Sequence, residues 1–299
     1  MNPAGVALVV AAAVIWGTTG TTQALAPGAA TPLAIAGVRV VFGGAALVAI
    51  ALAGRSFSRR PPLGLAIVLS ACVAFHQLAF FAAVERTGVA AGTIVTIGWA
   101  PAAAGLLAFA IYRERPGRRW YPATALAVAG CTLLALSGGE VAVDPLGIAL
   151  AIAAGSGYAV YTVIAKSLVG TRPPGEVVAL AFGGAALLLL PVLASQDLGW
   201  LTEPRGAAAG SWLALGTVAI GYTLFGRGLM LVPSGSAVTL TLAEPVTAAL
   251  LGVLLLSERL TAPAWAGALL VLLGLAYLAL GTRSAPEIEA APETPPPAG

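Results

Sequence analysis

The sequence predicts an all-α integral membrane protein of ten transmembrane helices, arranged as two inverted five-helix repeats. Three observations carry this. The 299 residues are 59% hydrophobic and only 9% charged, with a mean hydropathy of +0.95. A soluble domain carries roughly 25% charged residues, so this chain cannot cover its own surface with polar groups. Its apolar runs repeatedly reach the roughly 20 residues needed to cross a bilayer core. Finally, one stretch occurs twice: an offset of 144 pairs Pro101 with Pro245, Leu106-Leu107 with Leu250-Leu251, and Glu114-Arg115 with Glu258-Arg259. The same offset pairs Leu126 with Leu270, Gly130 with Gly274 and Leu136 with Leu280. A fixed-period repeat constrains the whole fold.

In chain order, the candidate spans of the first half lie near 4–24, 33–54, 63–84, 88–111 and 122–138. Those of the second half lie near 146–166, 175–195, 208–228, 234–256 and 263–281. Pro32, Pro62, Pro122, Pro145, Pro233 and Pro263 stand at or just before span starts, where proline costs a helix little. Phe42-Gly43-Gly44-Ala45-Ala46-Leu47 recurs verbatim as Phe182-Gly183-Gly184-Ala185-Ala186-Leu187, so the repeat extends upstream. Residues 1–140 and 141–281 therefore form the two units, and the Ala-, Pro- and Glu-rich tail, 282–299, is expected to be disordered. Five is odd, so the second unit enters the membrane from the opposite side, with a substrate site expected near the midplane between the halves.

Basic residues in the loops orient the chain. With the N-terminus inside, Arg55, Arg59, Arg60, Arg113, Arg115, Arg118, Arg119, Lys166, Arg172, Arg227 and Arg283 are cytoplasmic. Only Arg86, Arg205 and Arg259 are external, so both termini are expected in the cytoplasm. Met1-Asn2-Pro3 has no basic run before its apolar stretch, which is expected to remain as the first span. Cys72 and Cys131 read as small buried hydrophobes. No CxxC or histidine cluster suggests a metal, and no GxxxxGK[ST] or HExxH motif suggests an ATPase or metallohydrolase. The formal charge of +3 is spread over loops and gives no nucleic-acid signal.

Paired five-span units, each with proline in the fourth span, Glu-Arg just after it and glycine in the fifth, resemble tandem EamA domains. These define ten-span transporters of the drug/metabolite transporter superfamily. Within it, a set of aromatic and histidine residues at membrane depth most resembles the YddG-type exporters of aromatic and other amino acids. The resemblance implies alternating access around a central cavity and export of small molecules across the bacterial inner membrane. No enzymatic activity and no cofactor are expected, and a monomer is expected rather than an obligate oligomer. Alternatives are export of other small metabolites or cationic drugs, an intramembrane hydrolase built on Ser156 and His76, and a membrane scaffold that transports nothing.

Charges at membrane depth are expensive and mark cavities or partners. Arg39, His76 and Glu244 map onto Ala179, Ile220 and Ala100 in the other repeat, an asymmetry that a mere scaffold does not need. Glu244 lies roughly 15 Å and Arg39 roughly 9 Å into their spans at 1.5 Å per residue. Three roles stand open for Glu244: pairing with Arg39, contact with a substrate ammonium, or carrying a coupling proton. Trp16, Trp99 and Tyr158 fall near mid-span rather than in an interfacial belt. Tyr161 and Tyr222 lie on helix faces shared with Tyr158 and Phe225, and Phe80 lies one turn from His76. Trp16, His76, Phe80, Trp99, Tyr158, Tyr161 and Tyr222 are the expected substrate-contacting set, with packing between spans as the alternative. Pro101 and Pro245 are expected to kink their spans and serve the rocking of the two five-span units. Glu114 and Glu258 end the fourth and ninth spans as gating or end-of-helix charges. Trp120, Trp200, Trp212 and Trp265 are expected as interfacial anchors.

Overall fold

Proline opens many of the helices, its fixed φ and missing N–H suiting a first turn. The computed structural model describes residues 1–28, 30–58, 61–136, 144–257 and 260–280, without the side chains of 88–91, 94 and 135. Helices α1 (Pro3–Leu25), α2 (Pro32–Ala53), α6 (Pro145–Val169) and α7 (Pro174–Ala194) start this way, as does α8 (Pro204–Leu231). Asn2, Thr31 and Asp144 cap three of them, accepting from the N–H groups of Ala4, Ala34 and Leu146 at 2.9, 3.1 and 2.9 Å. The remaining helices are α3 (Leu63–Thr87), α4 (Val95–Tyr112), α5 (Trp120–Leu136), α9 (Ser234–Leu256) and α10 (Ala262–Leu280).

Helical backbone is continuous from Leu63 to Tyr112, yet the chain doubles back within it. A Cβ on Gly92 would lie 3.2 Å from the Cα of Val84. Eight residues of straight helix would hold them about 12 Å apart. Among the described residues nine helices are long and apolar enough to cross a membrane, and α5 is the short one. The tail 282–299, Glu258 and Arg259 lie outside the described residues.

Two glycine-lined contacts establish the inversion. Gly37 meets Leu193, Gly44 meets Phe182, and Gly183 meets Val48, so α2 and α7 run antiparallel. Gly130 meets Gly267 and Val271, while Gly274 meets Ala123 and Ala127, so α5 and α10 do the same. Each pair joins equivalent helices of the two repeats, which puts the pseudo-twofold axis in the membrane plane. Gly130 against Gly267 and Gly274 against Ala123 are one contact repeated by the offset of 144. A Cβ on Gly130 would lie 2.5 Å from the Gly267 carbonyl oxygen and 2.7 Å from the Val271 nitrogen. Gly130→Leu is therefore expected to cost about 1–3 kcal/mol. Thermal unfolding in detergent checks this.

The packed units are not the sequence repeats. Helix α1 packs on α8 and α9, and α6 packs on α3 and α4, so each repeat lends its first helix to the other. Helix α2 joins α8, and α7 joins α3. Two bundles result, α1–α2–α8–α9 and α3–α4–α6–α7, joined along the antiparallel α2–α7 contact, with α5–α10 forming the second seam. This corrects the expected rocking of one five-span unit against the other. The packed bundles are mixed, because the apolar face of α1 is covered by the second repeat.

The two fourth spans end alike but differ around their prolines. Arg113 and Ser257, equivalent residues, both take left-handed backbone, with φ of 56° and 57°. Each closes its helix as a C-terminal left-handed cap. Pro101 sits inside helix whose backbone continues through it. In α9 the helix breaks at Thr241–Leu242, just before Pro245. Pro245 offers no N–H to Thr241, and the Thr241 carbonyl instead accepts from Glu244 N at 2.9 Å. Helix α8 also departs from α geometry, being a π-helix over Trp212–Ile220. Trp120 and Trp200, expected as anchors, are buried; Trp212 and Trp265 are exposed on the apolar surface.

Candidate substrate cavity

Between α1, α8 and α9 on one side and α3, α4 and α6 on the other lies a cavity of about 300 Å³. The volume is at the small end of the range for ligand pockets, the size of a metabolite. Thr93, in the helical backbone just before α4, and Thr96, Ile97 and Ala100 of α4 form a stripe at the spacing of one helix face. Trp16, Thr19 and Gln23 do the same on α1, and His76, Gln77 and Phe80 on α3. Arg39, Tyr158, Tyr222 and Glu244 complete the wall. Helices α5, α7 and α10 contribute no lining residue, consistent with their place along the seams.

Trp16 is held in the floor by the irregular turn of α8. Its Nε1 donates to the Thr217 carbonyl at 2.8 Å, within the π segment. Gly221 makes the approach possible, because a Cβ there would lie 2.5 Å from that nitrogen. The indole packs on Tyr222 at 4.6 Å and Phe225 at 5.4 Å between centroids. Tyr158 extends the aromatic floor to His76 at 5.6 Å, and His76 stacks on Phe80 at 6.1 Å. His76 Nδ1 lies 3.0 Å from the Ala154 carbonyl, which can only accept. The ring therefore carries its hydrogen on Nδ1, leaving Nε2 as its acceptor nitrogen.

Arg39 and Glu244 share this cavity without forming an ion pair among the described residues. Arg39 is within electrostatic reach of His76, Tyr222 and Glu244. Its buried Nε has no hydrogen-bond partner. Thr19 Oγ1 is equally unpaired, and Tyr158 Oη, beside Thr241, makes no hydrogen bond of normal geometry. Buried polar atoms without partners are uncommon in native structures, and three of them converge here. A polar occupant, water or ligand, would satisfy them.

Two expected contact residues lie elsewhere. Trp99 is 38% exposed on the outer, lipid-facing surface, its Nε1 donating to Ser156 Oγ at 2.8 Å. It is adjacent in sequence to the cavity residue Ala100, and a helix turns by about 100° per residue, which carries it off the lining face. Tyr161 is one turn below Tyr158 and is buried against Phe182 and Tyr222 as packing. Sequence reasoning missed Thr19, Gln23, Gln77, Thr93 and Thr96 of the lining. Their signal was polar residues at i, i+3 and i+4 spacing within apolar spans.

The cavity extends toward one membrane face and is crossed by contacts toward the other. Its upper residues, Gln23 and Thr93, belong to the end opposite the N-terminus. Toward the terminus-bearing face, two cross-bundle contacts close it. Glu114, just past α4, accepts from the Ser234 N–H at 3.2 Å and hydroxyl at 3.3 Å, capping α9. Lys166 of α6 donates to the Leu229 and Met230 carbonyls at the end of α8, at 2.7 and 3.1 Å. Glu258 lies outside the described residues, so its face has no counterpart to compare.

An all-helical membrane fold of two inverted repeats, with a cavity between its bundles lined by apolar, aromatic and a few charged residues, defines a multi-pass transporter. The chain belongs to the EamA-like transporter family, whose family model matches residues 3–136 and 145–280, within the drug/metabolite transporter superfamily. It is 42% identical to the uncharacterized transporter YwfM of Bacillus subtilis (strain 168), over 95% of this chain and 96% of that one. The probable amino-acid metabolite efflux pump of Salmonella typhimurium is 28% identical, over 84% of this chain and 87% of its own. A crystal structure with a TM-score of 0.81 and 21% identity covers 95% of this chain and 99% of its own, a likeness of fold.

Proposed function

We propose that this chain is a secondary transporter that exports amino acids, aromatic and other neutral ones, across the bacterial inner membrane. The observation that carries the reading is the metabolite-sized cavity walled by Trp16, His76, Phe80, Tyr158 and Tyr222 and sealed at one end. Aromatic faces favour planar side chains and ammonium groups, at about 0.5–2 kcal/mol per contact. The name of the Salmonella efflux pump supports the same substrate class. The excess of basic residues on the terminus-bearing face supports cytoplasmic termini, so that the cavity faces outward in this conformation. Alternating access then consists of tilting the two mixed bundles about their seams, with the Lys166 and Glu114 contacts broken to admit substrate from the cytoplasm.

Catalysis has little support in the geometry. Ser156 Oγ donates to the Ile152 carbonyl and accepts from Trp99, while His76 Nδ1 bonds to Ala154, so no Ser–His dyad forms among the described residues. The reading treats the chain as a monomeric, cofactor-free transporter.

Flux of labelled amino acids in proteoliposomes, with a competition panel of amino acids and cationic drugs, tests this. Saturable movement of phenylalanine is expected, with aromatic and neutral amino acids competing. His76→Ala is expected to lower flux about tenfold, the equivalent of about 1.4 kcal/mol. Trp99→Phe, on the lipid-facing side, is expected to leave it unchanged. Movement of drugs and of no amino acid would replace the reading with its superfamily alternative.

A further inference from the structure

We propose that the cavity selects zwitterions, with Arg39 receiving the carboxylate and Glu244 the ammonium of one α-amino acid. This rests on the export reading and narrows its substrate chemistry. Two opposite charges in one cavity at membrane depth attract strongly, because a low dielectric strengthens their interaction. Left to themselves they would form an ion pair, yet no pair joins Arg39 and Glu244 among the described residues. The fold holds them apart. Arg39 is fixed on α2, and Glu244 stands in the first turn after the break in α9, where Thr241 and Pro245 set its direction.

An occupant must then answer both charges. A cation alone would neutralise Glu244 and face Arg39 uncompensated. An anion alone would do the reverse. Only a molecule carrying both completes the site without adding net charge to the membrane interior. The repeat makes the same point. The positions equivalent to Arg39 and Glu244 are Ala179 and Ala100, so neither charge is required by the duplicated frame.

The placement also orients the ligand. Arg39 and Glu244 both belong to the bundle of α1, α2, α8 and α9, while His76, Phe80 and Tyr158 face them from α3 and α6. The charged end of the amino acid thus lies on one bundle, and its side chain spans the cavity to the other. Large planar side chains reach across; glycine does not.

Binding to purified full-length protein in detergent, followed by calorimetry, tests this with three probes: phenylalanine, phenylethylamine without the carboxylate, and 3-phenylpropionate without the amine. Phenylalanine is expected to bind at least about tenfold more tightly than either, since hydrogen bonds to charged groups contribute that much. Arg39→Gln is expected to erase the preference over phenylethylamine and to tighten phenylethylamine itself, a repelling cation being gone. Glu244→Gln is expected to do the same for 3-phenylpropionate. The wild-type series stands on its own should either variant fail to fold. Equal binding of phenylalanine and either one-charge analogue, with phenylalanine still transported, would overturn the zwitterion site and leave the export reading standing. Absence of both binding and transport of every amino acid would overturn the two together.

Discussion

Pro245→Ala is expected to stabilise the protein and slow transport. Proline inside a helix is about 3 kcal/mol less favourable than alanine, and the existing break absorbs part of that, so a gain of about 1–3 kcal/mol is expected in thermal unfolding. The alanine restores an N–H whose natural acceptor is the Thr241 carbonyl, now bonded to Glu244 N at 2.9 Å. A regained backbone hydrogen bond is worth about 0.5–1.5 kcal/mol net. If it must break each time α9 bends, turnover slows by up to about tenfold. Pro101→Ala is the control. Its helix is already continuous, so flux should change little. Equal effects of the two substitutions on flux would mean that the break in α9 has no part in transport.

Lys166→Met is expected to shift the protein toward the conformation open to the cytoplasm. Lys166 makes two charge-assisted hydrogen bonds to the end of α8, and among the described residues no other residue of α6 makes a comparable polar contact across the bundles at that face. Each is worth about 1.5–3 kcal/mol. Losing even one would raise the population of the cytoplasm-open state about tenfold or more. Methionine retains the length and apolar stem of the side chain, so folding should be preserved. Faster labelling of a cavity cysteine from the cytoplasmic side is the readout, and unchanged labelling would remove Lys166 from the gate.

The spans and their inversion were legible in the sequence because helix length, proline starts and a duplicated Pro-to-Glu spacing are local signals. Arg39, His76 and Glu244 were legible for a related reason. A charge or imidazole within an apolar span has few places to go, and the repeat shows which of them the frame does not require. The helix faces were harder to read. Helix α4 is apolar nearly all round, and only Thr96, with Thr93 just before the helix, marks the face on which Ala100 turns inward while its neighbour Trp99 does not. Tyr161 shares a face with Tyr158, but one turn of depth separates cavity from packing. The exchange of α1 and α6 between repeats was hidden as well. Contacts such as Gly5 against Leu231, or Gly17 against Thr247, join residues more than two hundred positions apart and leave no local trace. The unequal effect of equivalent prolines depends on Thr241 and Leu242 around Pro245, which the repeat comparison alone does not weigh.

Alternating access requires one cavity reached in turn from the two membrane faces. Ala100→Cys, in a background with Cys72 and Cys131 replaced by alanine, places a single thiol on the cavity wall opposite Glu244. A membrane-impermeant thiol reagent should label it from the outer face, more slowly with phenylalanine present. In the presence of Lys166→Met it should also be labelled from the cytoplasmic face. Labelling from the outer face alone under every condition, with or without Lys166, would contradict alternating access through this cavity.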